Sequence, residues 1–230
     1  MRDAVSPQKL KSVYAAVARR YDLQHGLLTL HRDERGRELV VEQAVRRGDR
    51  VLDAGGGTGS TTLLAAKKAG PEGHVTQIDF SPQMQAVAQQ RTREGGLDGR
   101  IDFRSGDMLA LPFADESFDS VLSTYSLCPL FDPAKGALEL YRVLKPGGRL
   151  GLAHSASPEN PVMYWLAERL EDVLWYFPGV SMGCRAVSVL PALQHAGARL
   201  LFERHLGVPL YPFVVLVLEK PGAAGSGGPS

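Results

Sequence analysis

The sequence predicts an α/β fold in which helices cover both faces of a mostly parallel, doubly wound sheet. Short apolar runs alternate with helical patterns between Arg50 and Pro146, as in successive βαβ units. The helical patterns begin at capping residues and end at glycines. The last two apolar runs are joined by a Gly-Val-Pro link that is too short for a helical crossover, so we expect this pair to be antiparallel.

Five apolar runs supply the predicted parallel strands, in the order RVLDA, HVTQID, IDFRSG, FDSVLST and RLGLAH. Between them, the segments STTLLAAKKAG, SPQMQAVAQQRTREGG and DPAKGALELYRVLKPGG predict helices. Ser81 and Asp132 can cap the second and third of these helices, and glycines close them. The third helix is expected to end at Lys145, with a turn at residues 146–148 before the fifth strand. The runs RLLFERHL and YPFVVLVLEK are the last two predicted strands.

Length and composition predict a single domain over residues 1–220. With 230 residues, 44% of them hydrophobic, the chain can bury one substantial core. Residues 1–46 have helical patterns and precede the first strand, which predicts a helical lid ahead of a core at residues 47–220. Residues 221–230 are small and polar, and we expect them to be disordered.

Charge and cysteine content exclude several classes of protein. A net charge of +1 lacks the excess of Lys and Arg that a dedicated nucleic-acid-binding protein needs, so no such partner is expected. Cys128 and Cys184 have no CxxC spacing and predict neither a metal site nor a disulfide framework. The absence of a signal peptide and of any run of about 20 apolar residues predicts a soluble, cytoplasmic protein. The basic helical pattern KLKSVYAAVARR is compatible with peripheral membrane contact.

The stretch VLDAGGGTGS, residues 51–60, joins a predicted strand to a predicted helix through a glycine-rich loop. The strand ends at Asp53, and the helix is expected to begin near Thr58. Backbone N–H groups at such a corner can bind a ligand at close range, because glycine has no Cβ to block the approach. The glycines follow a GxGxG pattern, whereas a dinucleotide fingerprint would need glycine where Ser60 stands. No Gly-Lys-Ser/Thr of a P-loop follows.

Two acidic residues follow later strands at the same predicted edge of the sheet. Asp79 ends the second strand, where a carboxylate can accept hydrogen bonds from both hydroxyls of a ribose. That position alone fits NAD as well. Asp107 follows the third strand and can accept a hydrogen bond from an adenine amino group. Together these positions predict a site for an adenosine-containing ligand.

The motifs DAGGGTGS, LPFADESFDSVLSTYSL and RVLKPGG, in this order, resemble class I S-adenosylmethionine-dependent methyltransferases of the ubiquinone/menaquinone C-methyltransferase-like branch. The resemblance covers roughly residues 10–155. It implies a Rossmann-like, seven-stranded sheet in the order 3-2-1-4-5-7-6, with the seventh strand antiparallel. It also implies S-adenosyl-L-methionine as the cofactor.

The resemblance assigns roles to particular residues. The residues implied around the methionine part of the cofactor are Asp53, Gly55, Gly57, Thr58 and Gly59, with Thr124 at its amino-acid end. Asp79 is implied to bind the ribose, Phe80 to cover the adenine, and Asp107 and Met108 to contact the adenine. Tyr21 and Asp22 match a Tyr-Asp element that folds over the cofactor in such proteins.

The resemblance implies methyl transfer to a small, apolar acceptor such as a quinol, a phenol, a thiol or a lipid-like molecule. Tyr21 and His154 are the candidate catalytic residues for moving a proton. Each has a structural alternative. Tyr21 can serve in core packing, and His154 can form a hydrogen bond to the backbone at a strand end. The segment after the fifth strand differs from that of quinone methyltransferases, which leaves the acceptor open. STYSLCPL disfavours methylation of nucleic-acid bases.

Two other functions stay open at this point. One is a non-catalytic relative that binds S-adenosylmethionine as a sensor or partner protein. The other is an NAD-dependent oxidoreductase, which Ser60 and the RVLKPGG turn disfavour.

Overall fold

A computed structural model describes residues 6–18, 20–22, 26, 29, 31–174 and 184–222. Within these residues, seven strands form one sheet in the order β3-β2-β1-β4-β5-β7-β6. The strands are β1 Arg50–Ala54, β2 His74–Asp79, β3 Ile101–Ser105, β4 Phe118–Thr124, β5 Leu144–Ser155, β6 Arg199–Val208 and β7 Tyr211–Glu219. β7 is antiparallel to both β5 and β6, and the other neighbours are parallel. The predicted fold and strand order are confirmed.

The parallel half of the sheet brings the carboxyl ends of β1, β2 and β4 to one edge. Val51 and Leu52 of β1 are fully buried, because helices cover both faces of the sheet. The strand order reverses between β1 and β4, since the chain runs outward to β3 on one side and to β5 on the other. The crevice outside such a reversal is where open parallel sheets bind ligands.

Seven helices surround the sheet in the described part of the chain. They are α1 Pro7–Val17, α2 Arg32–Ala44, α3 Ser60–Ala69, α4 Pro82–Glu94, α5 Pro133–Arg142, α6 Pro161–Leu174 and α7 Leu190–His195. Both predicted caps are confirmed. The side chain of Ser81 accepts a hydrogen bond from the Met84 N–H at 3.4 Å, and that of Asp132 accepts one from the Lys135 N–H at 2.9 Å.

Two helix boundaries differ from the sequence prediction. α3 begins at Ser60 rather than near Thr58, because Gly59 has a φ of +87° and is the cap. α5 ends at Arg142 rather than Lys145. The Val143 carbonyl accepts hydrogen bonds from the N–H groups of Ser117 and Phe118 at 2.8 and 3.1 Å, so strand pairing has already begun there. The predicted turn at residues 146–148 lies within β5, where the pairing register between β4 and β5 shifts.

The two N-terminal helices lie in different parts of the molecule. α2, which was predicted as part of the lid, packs on the sheet through Val40 and Ala44, both fully buried. The approach is close, since a Cβ added to Gly151 of β5 would lie 2.8 Å from a Val40 methyl carbon. α1 packs instead on α4, in a cluster that includes Tyr14 and Met84. The structure therefore places α2 in the core layer, and α1 is the helix that covers the ligand edge.

The division of the chain at residue 46 stays a prediction, and most of the predicted disordered tail, residues 223–230, lies outside the described residues. Among the helices that the structure describes, none is long and apolar enough to cross a membrane.

Candidate functional site

The loop after β1 contains three glycines with left-handed backbone, at φ values of +70° for Gly55, +53° for Gly57 and +87° for Gly59. A Cβ at Gly55 would lie 2.4 Å from the Cβ of Ser126, and one at Gly59 would lie 3.0 Å from the Cβ of Ala88. Close packing therefore requires glycine at these two positions. A Cβ at Gly57 would meet nothing within 4 Å, although Gly57 borders a cavity. Gly57 thus keeps space open for a ligand.

Asp79, at the end of β2, binds the backbone of the glycine loop through its carboxylate. One carboxylate oxygen accepts a hydrogen bond from the Gly57 N–H at 2.9 Å, and the other accepts one from the Ser81 N–H at 2.8 Å. Burial raises the pKa of this carboxyl, and hydrogen bonds from the backbone N–H groups of Ser81, Gly57 and Phe80 oppose the shift. A carboxylate has about four acceptor positions. Asp79 can therefore accept further hydrogen bonds from a ligand in the cavity that it lines.

The cavity brings together most of the residues predicted to bind the cofactor. Its lining includes Gly55, Gly57, Thr58, Asp79, Phe80, Asp107, Met108 and Thr124. Asp107 is exposed, whereas Met108 is buried, and Phe80 meets the ring of Tyr14 edge to face at 5.9 Å between centroids. A flat, apolar group can lie between such side chains while a carboxylate at the rim accepts a hydrogen bond.

Two predicted cofactor residues lie behind the loop and do not line the cavity. Gly59 caps α3 and packs against Ala88. Asp53 is fully buried, and one of its oxygens accepts a hydrogen bond from the Thr62 hydroxyl at 2.6 Å. Its other oxygen has no hydrogen-bond partner within the described residues. Burial raises the pKa of Asp53 to about 6.

Arg37 of α2 lines the cavity, and the sequence analysis missed it. Its guanidinium is buried, donates a hydrogen bond to the Thr124 hydroxyl at 3.2 Å and lies 3.4 Å from a carboxylate oxygen of Asp33. It also lies 5.0 Å from the centre of the Tyr125 ring. Arg37 shares its helix face with the buried residues Val40 and Val41, and an arginine on an apolar stripe was the available signal. The cavity thus has a buried cation as well as a buried carboxylate.

The covering side of the cavity is formed by the lid helix and the residues after it. Tyr14 and Tyr21 both line the cavity, and their rings lie 6.0 Å apart. Burial raises the pKa values of both phenols, so they are protonated at neutral pH. The carboxylate of Asp22 accepts hydrogen bonds from the Thr58 hydroxyl and from Arg91 of α4, each at 2.8 Å. These bonds attach the cover to the glycine loop.

His154, the second candidate catalytic residue, is not brought to the cavity. It is 2% exposed, and its Nδ1 lies 3.1 Å from the Ser155 carbonyl oxygen. Its Nε2 has no hydrogen-bond partner within the described residues. Burial lowers the pKa of the imidazole, which is therefore neutral at neutral pH. The structural alternative for His154, a histidine at a strand end that bonds to the backbone, describes what is observed.

The described part of the chain holds no group of three or more His, Cys, Asp or Glu side chains arranged to bind a metal ion. The chemical character of the cavity instead comes from Asp79, Asp107 and Arg37, with aromatic and apolar side chains between them. This arrangement suits an adenosine group joined to an amino-acid tail.

The motif resemblance is confirmed by comparison with known proteins. Residues 2–170 match the model of the ubiE/COQ5 methyltransferase family. A demethylmenaquinone methyltransferase from Lactobacillus johnsonii is 32% identical over 164 residues, which is 71% of this chain and 67% of that protein. A ubiquinone/menaquinone biosynthesis C-methyltransferase UbiE from a Marinomonas strain is 32% identical over 167 residues, 70% of this chain and 66% of that protein. The chain therefore matches about two thirds of the length of these relatives.

Solved structures share the fold at lower identity. The [4+2]-cyclase SpnF aligns with a TM-score of 0.66 and 24% identity over 83% of this chain and 82% of that chain. A SAM-dependent methyltransferase from Aquifex aeolicus aligns with a TM-score of 0.58 and 24% identity over 80% of this chain and 89% of that chain. At such identities the alignments establish the fold, and the family comes from the sequence matches. The chain belongs to the ubiE/COQ5 methyltransferase family.

Proposed function

We propose that the chain binds S-adenosyl-L-methionine in this cavity and transfers its methyl group to a small, apolar acceptor. The observation that carries the proposal is that a buried carboxylate, Asp79, and a buried guanidinium, Arg37, line the same cavity. The cofactor has ribose hydroxyls that donate hydrogen bonds to a carboxylate, and an α-carboxylate that pairs with a guanidinium. Family membership supports the same assignment.

The glycine loop fits the cofactor because Gly57 lacks a side chain where a Cβ would enter open space. Its N–H is already bonded to Asp79, so the loop and the carboxylate form one preorganised unit. Such a unit loses little conformational entropy when a ligand binds.

We assign the remaining contacts from the positions of the lining residues. Asp79 binds the ribose hydroxyls, and Phe80 and Met108 cover the adenine while Asp107 accepts a hydrogen bond from its amino group. Arg37 and Thr124 bind the carboxylate of the methionine part. Thr58 and Gly55 border that part from the loop. Asp53 and Gly59 act through the loop, because neither lines the cavity.

The bound cofactor supplies a methyl group that its sulfonium makes electrophilic. The work left to the protein is to align the acceptor and to exclude water, and alignment alone can supply several kcal/mol of barrier lowering. Tyr14, Tyr21 and the lid helix close the cavity on the covering side. We propose Tyr21 as the catalytic side chain. Its raised pKa makes the phenol a hydrogen-bond donor rather than a base at neutral pH.

The acceptor is proposed from the chemistry of the lining and from the names of the relatives. Leu10, Pro129 and Leu130 add apolar surface to the cavity, which suits an acceptor with a large apolar part. The relatives are named for demethylmenaquinone and for ubiquinone/menaquinone biosynthesis, so a quinol ring is the first acceptor to test. We expect a membrane-borne acceptor to be reached by peripheral contact through α1, where Lys9 and Lys11 are exposed.

Labelled methyl transfer into a lipid and small-molecule extract tests the reaction. A product with the labelled methyl group on a quinol ring carbon supports the proposal. Tight cofactor binding without transfer into any fraction would favour the non-catalytic alternative. Turnover distinguishes the enzyme from the non-catalytic alternative. The fold cannot do so, because it is shared with a cyclase and does not by itself specify methyl transfer.

Gly57→Ala tests the site itself. The variant puts a methyl group into the cavity, so we expect at least a tenfold loss of S-adenosylmethionine affinity, about 1.4 kcal/mol. Calorimetric titration measures the change. Gly96→Ala is the matched control, because Gly96 has a φ of +64° and also nothing within 4 Å of an added Cβ, but it lies outside the cavity. Both variants carry a backbone strain of about 1–2 kcal/mol. Equal cofactor affinity in the two variants would contradict the assignment.

A further inference from the structure

The two cysteines of the chain meet beside the cavity, although they are far apart in sequence. Cys128, in the loop after β4, is fully buried, and Cys184 is partly buried at the start of the described segment 184–189. Both are thiols, and they are near enough for Cys184 to influence the pKa of Cys128. Cys184 also packs against the cluster that contains Leu10 and Tyr14 of the lid.

The contact is held by hydrogen bonds on either side of it. Arg185 donates to the Leu130 carbonyl at 3.0 Å and to the Phe131 carbonyl at 3.2 Å, so the residue after Cys184 is bound to the loop that carries Cys128. The Val187 N–H donates to the Ser155 carbonyl at 3.1 Å. These bonds hold the segment that carries Cys184 against the loop that carries Cys128.

The surroundings of Cys128 favour its thiolate. The hydrogen bond with Cys184 lowers the pKa of Cys128 to about 7 against the effect of burial, with help from Ser155. The Ser155 N–H donates to the Cys128 sulfur at 3.4 Å. A thiol with a pKa near neutrality is a good nucleophile in thiol–disulfide exchange.

We propose that Cys128 and Cys184 form an oxidative modification site that closes to an intramolecular disulfide and slows exchange at the cavity. The oxidant is a small-molecule disulfide. The Cys184 thiol, which is the more accessible, loses its proton to solvent. The resulting thiolate attacks one oxidant sulfur, and one thiolate of the oxidant leaves. The Cys128 thiolate then attacks the Cys184 sulfur of this mixed disulfide, and the second thiolate leaves. Two protein thiols are oxidised, and one disulfide is reduced to two thiols.

The disulfide would act on the cavity through the elements that it joins. An S–S bond of about 2.05 Å is much shorter than a hydrogen-bonded contact between two thiols, so the loop and the segment must move together. The loop carries Ser126, Pro129 and Leu130 of the cavity lining, and the segment contacts the lid cluster. A bond between them joins the loop after β4 to the covering side of the cavity. It therefore restricts the opening of that side.

The test uses the full-length protein equilibrated with mixtures of reduced and oxidised glutathione, acid-quenched and alkylated. We expect an intact mass lower by two hydrogens, one cross-linked peptide pair containing residues 128 and 184, and reversal by dithiothreitol. Cys128→Ser should trap glutathione on Cys184, because the second thiolate is missing. Cys184→Ser should form no cross-link. Because Cys184 is only partly buried, this variant tests the proposal even if substitution of the buried Cys128 disturbs folding.

Exchange of bound S-adenosylmethionine, or of its analogue sinefungin, supplies the second measurement. We expect dissociation from the oxidised protein to be slower by about tenfold, a barrier increase of about 1.4 kcal/mol. Cys184→Ser should show no such slowing under the same oxidant. Stable glutathione on wild-type cysteines, disulfides between two chains, or unchanged dissociation in the cross-linked protein would each overturn the proposal. The cross-link is read by mass, so its failure is distinct from failure of methyl transfer.

Discussion

The floor and the cover of the cavity are built in different ways. The floor, which comprises the glycine loop, Asp79 and Asp107, sits at the ends of parallel strands. It is tied by backbone bonds such as Gly55 N–H to the Ile78 carbonyl at 2.8 Å. The cover, which comprises α1 and Tyr21–Asp22, is attached to the glycine loop through the side chains of Asp22 and Arg91. A region attached through exposed side chains opens at lower free energy than a core sheet. We therefore expect the floor to set affinity and the cover to set turnover and exchange.

Tyr21→Phe should show the largest effect from the cover. It removes a hydroxyl from the lining without removing the ring, so we expect turnover to fall by about 100-fold while cofactor affinity stays the same. Steady-state kinetics and calorimetry measure the two quantities. Tyr141→Phe is the control, since Tyr141 lies outside the cavity. Unchanged turnover would give Tyr21 a packing role only.

Asp79→Ala should show the largest effect from the floor. It removes the acceptor for the ribose and also leaves the N–H groups of Gly57 and Ser81 without their carboxylate. We expect a loss of cofactor affinity of about 1.5–3 kcal/mol by calorimetry. Asp102→Ala is the control, because Asp102 is an exposed carboxylate on β3. Wild-type affinity in the Asp79 variant would refute the ribose assignment.

Arg37→Gln tests the end of the cavity opposite the ribose site, where α2 meets the floor. We expect affinity for S-adenosylmethionine to fall about tenfold, about 1.4 kcal/mol, because a charged hydrogen bond to its carboxylate is lost. Affinity for 5′-methylthioadenosine, which lacks the amino-acid tail, should not change. The comparison of two ligands on one variant removes any general effect on stability. Equal losses for both ligands would mean that Arg37 acts on the fold and not on the carboxylate.

Asp22→Asn should show the smallest effect. The Asp22–Arg91 ion pair is partly exposed and is worth about 0.2–1 kcal/mol. We expect the cofactor to dissociate about twofold to fivefold faster in stopped-flow measurements, because the cover opens more often. Glu72→Gln breaks the more exposed Arg47–Glu72 pair, which lies away from the cavity, and should leave the rate unchanged. The same dissociation rate in both variants would argue against a role for the Asp22–Arg91 pair in holding the cover closed.

The sequence predicts the floor well because its signals are local. Apolar runs, capping residues and the GxGxG spacing each lie within a few residues of the structure that they specify. The position of Arg37 depends on α2 docking against the sheet. The approach of Cys184 to Cys128 depends on a distant segment that bonds to the end of β5 through Val187. The end of α5 is shifted because Val143 pairs with β4 residues. In each case contacts between distant parts of the chain decide the outcome, and the one local signal, an arginine on the apolar stripe of α2, does not indicate what Arg37 contacts.

The position of β7 has a consequence for the order in which the protein is made. β7 follows the other six strands in the described part of the chain, yet it lies inside the sheet between β5 and β6. Phe213, Val215 and Val217 belong to the same buried cluster as Val40 of α2. A nascent chain that has not released β7 from the ribosome lacks part of the surface against which α2 packs, other parts being supplied by β4 and β5. We therefore expect Arg37, encoded early, to be among the last side chains set in place during synthesis.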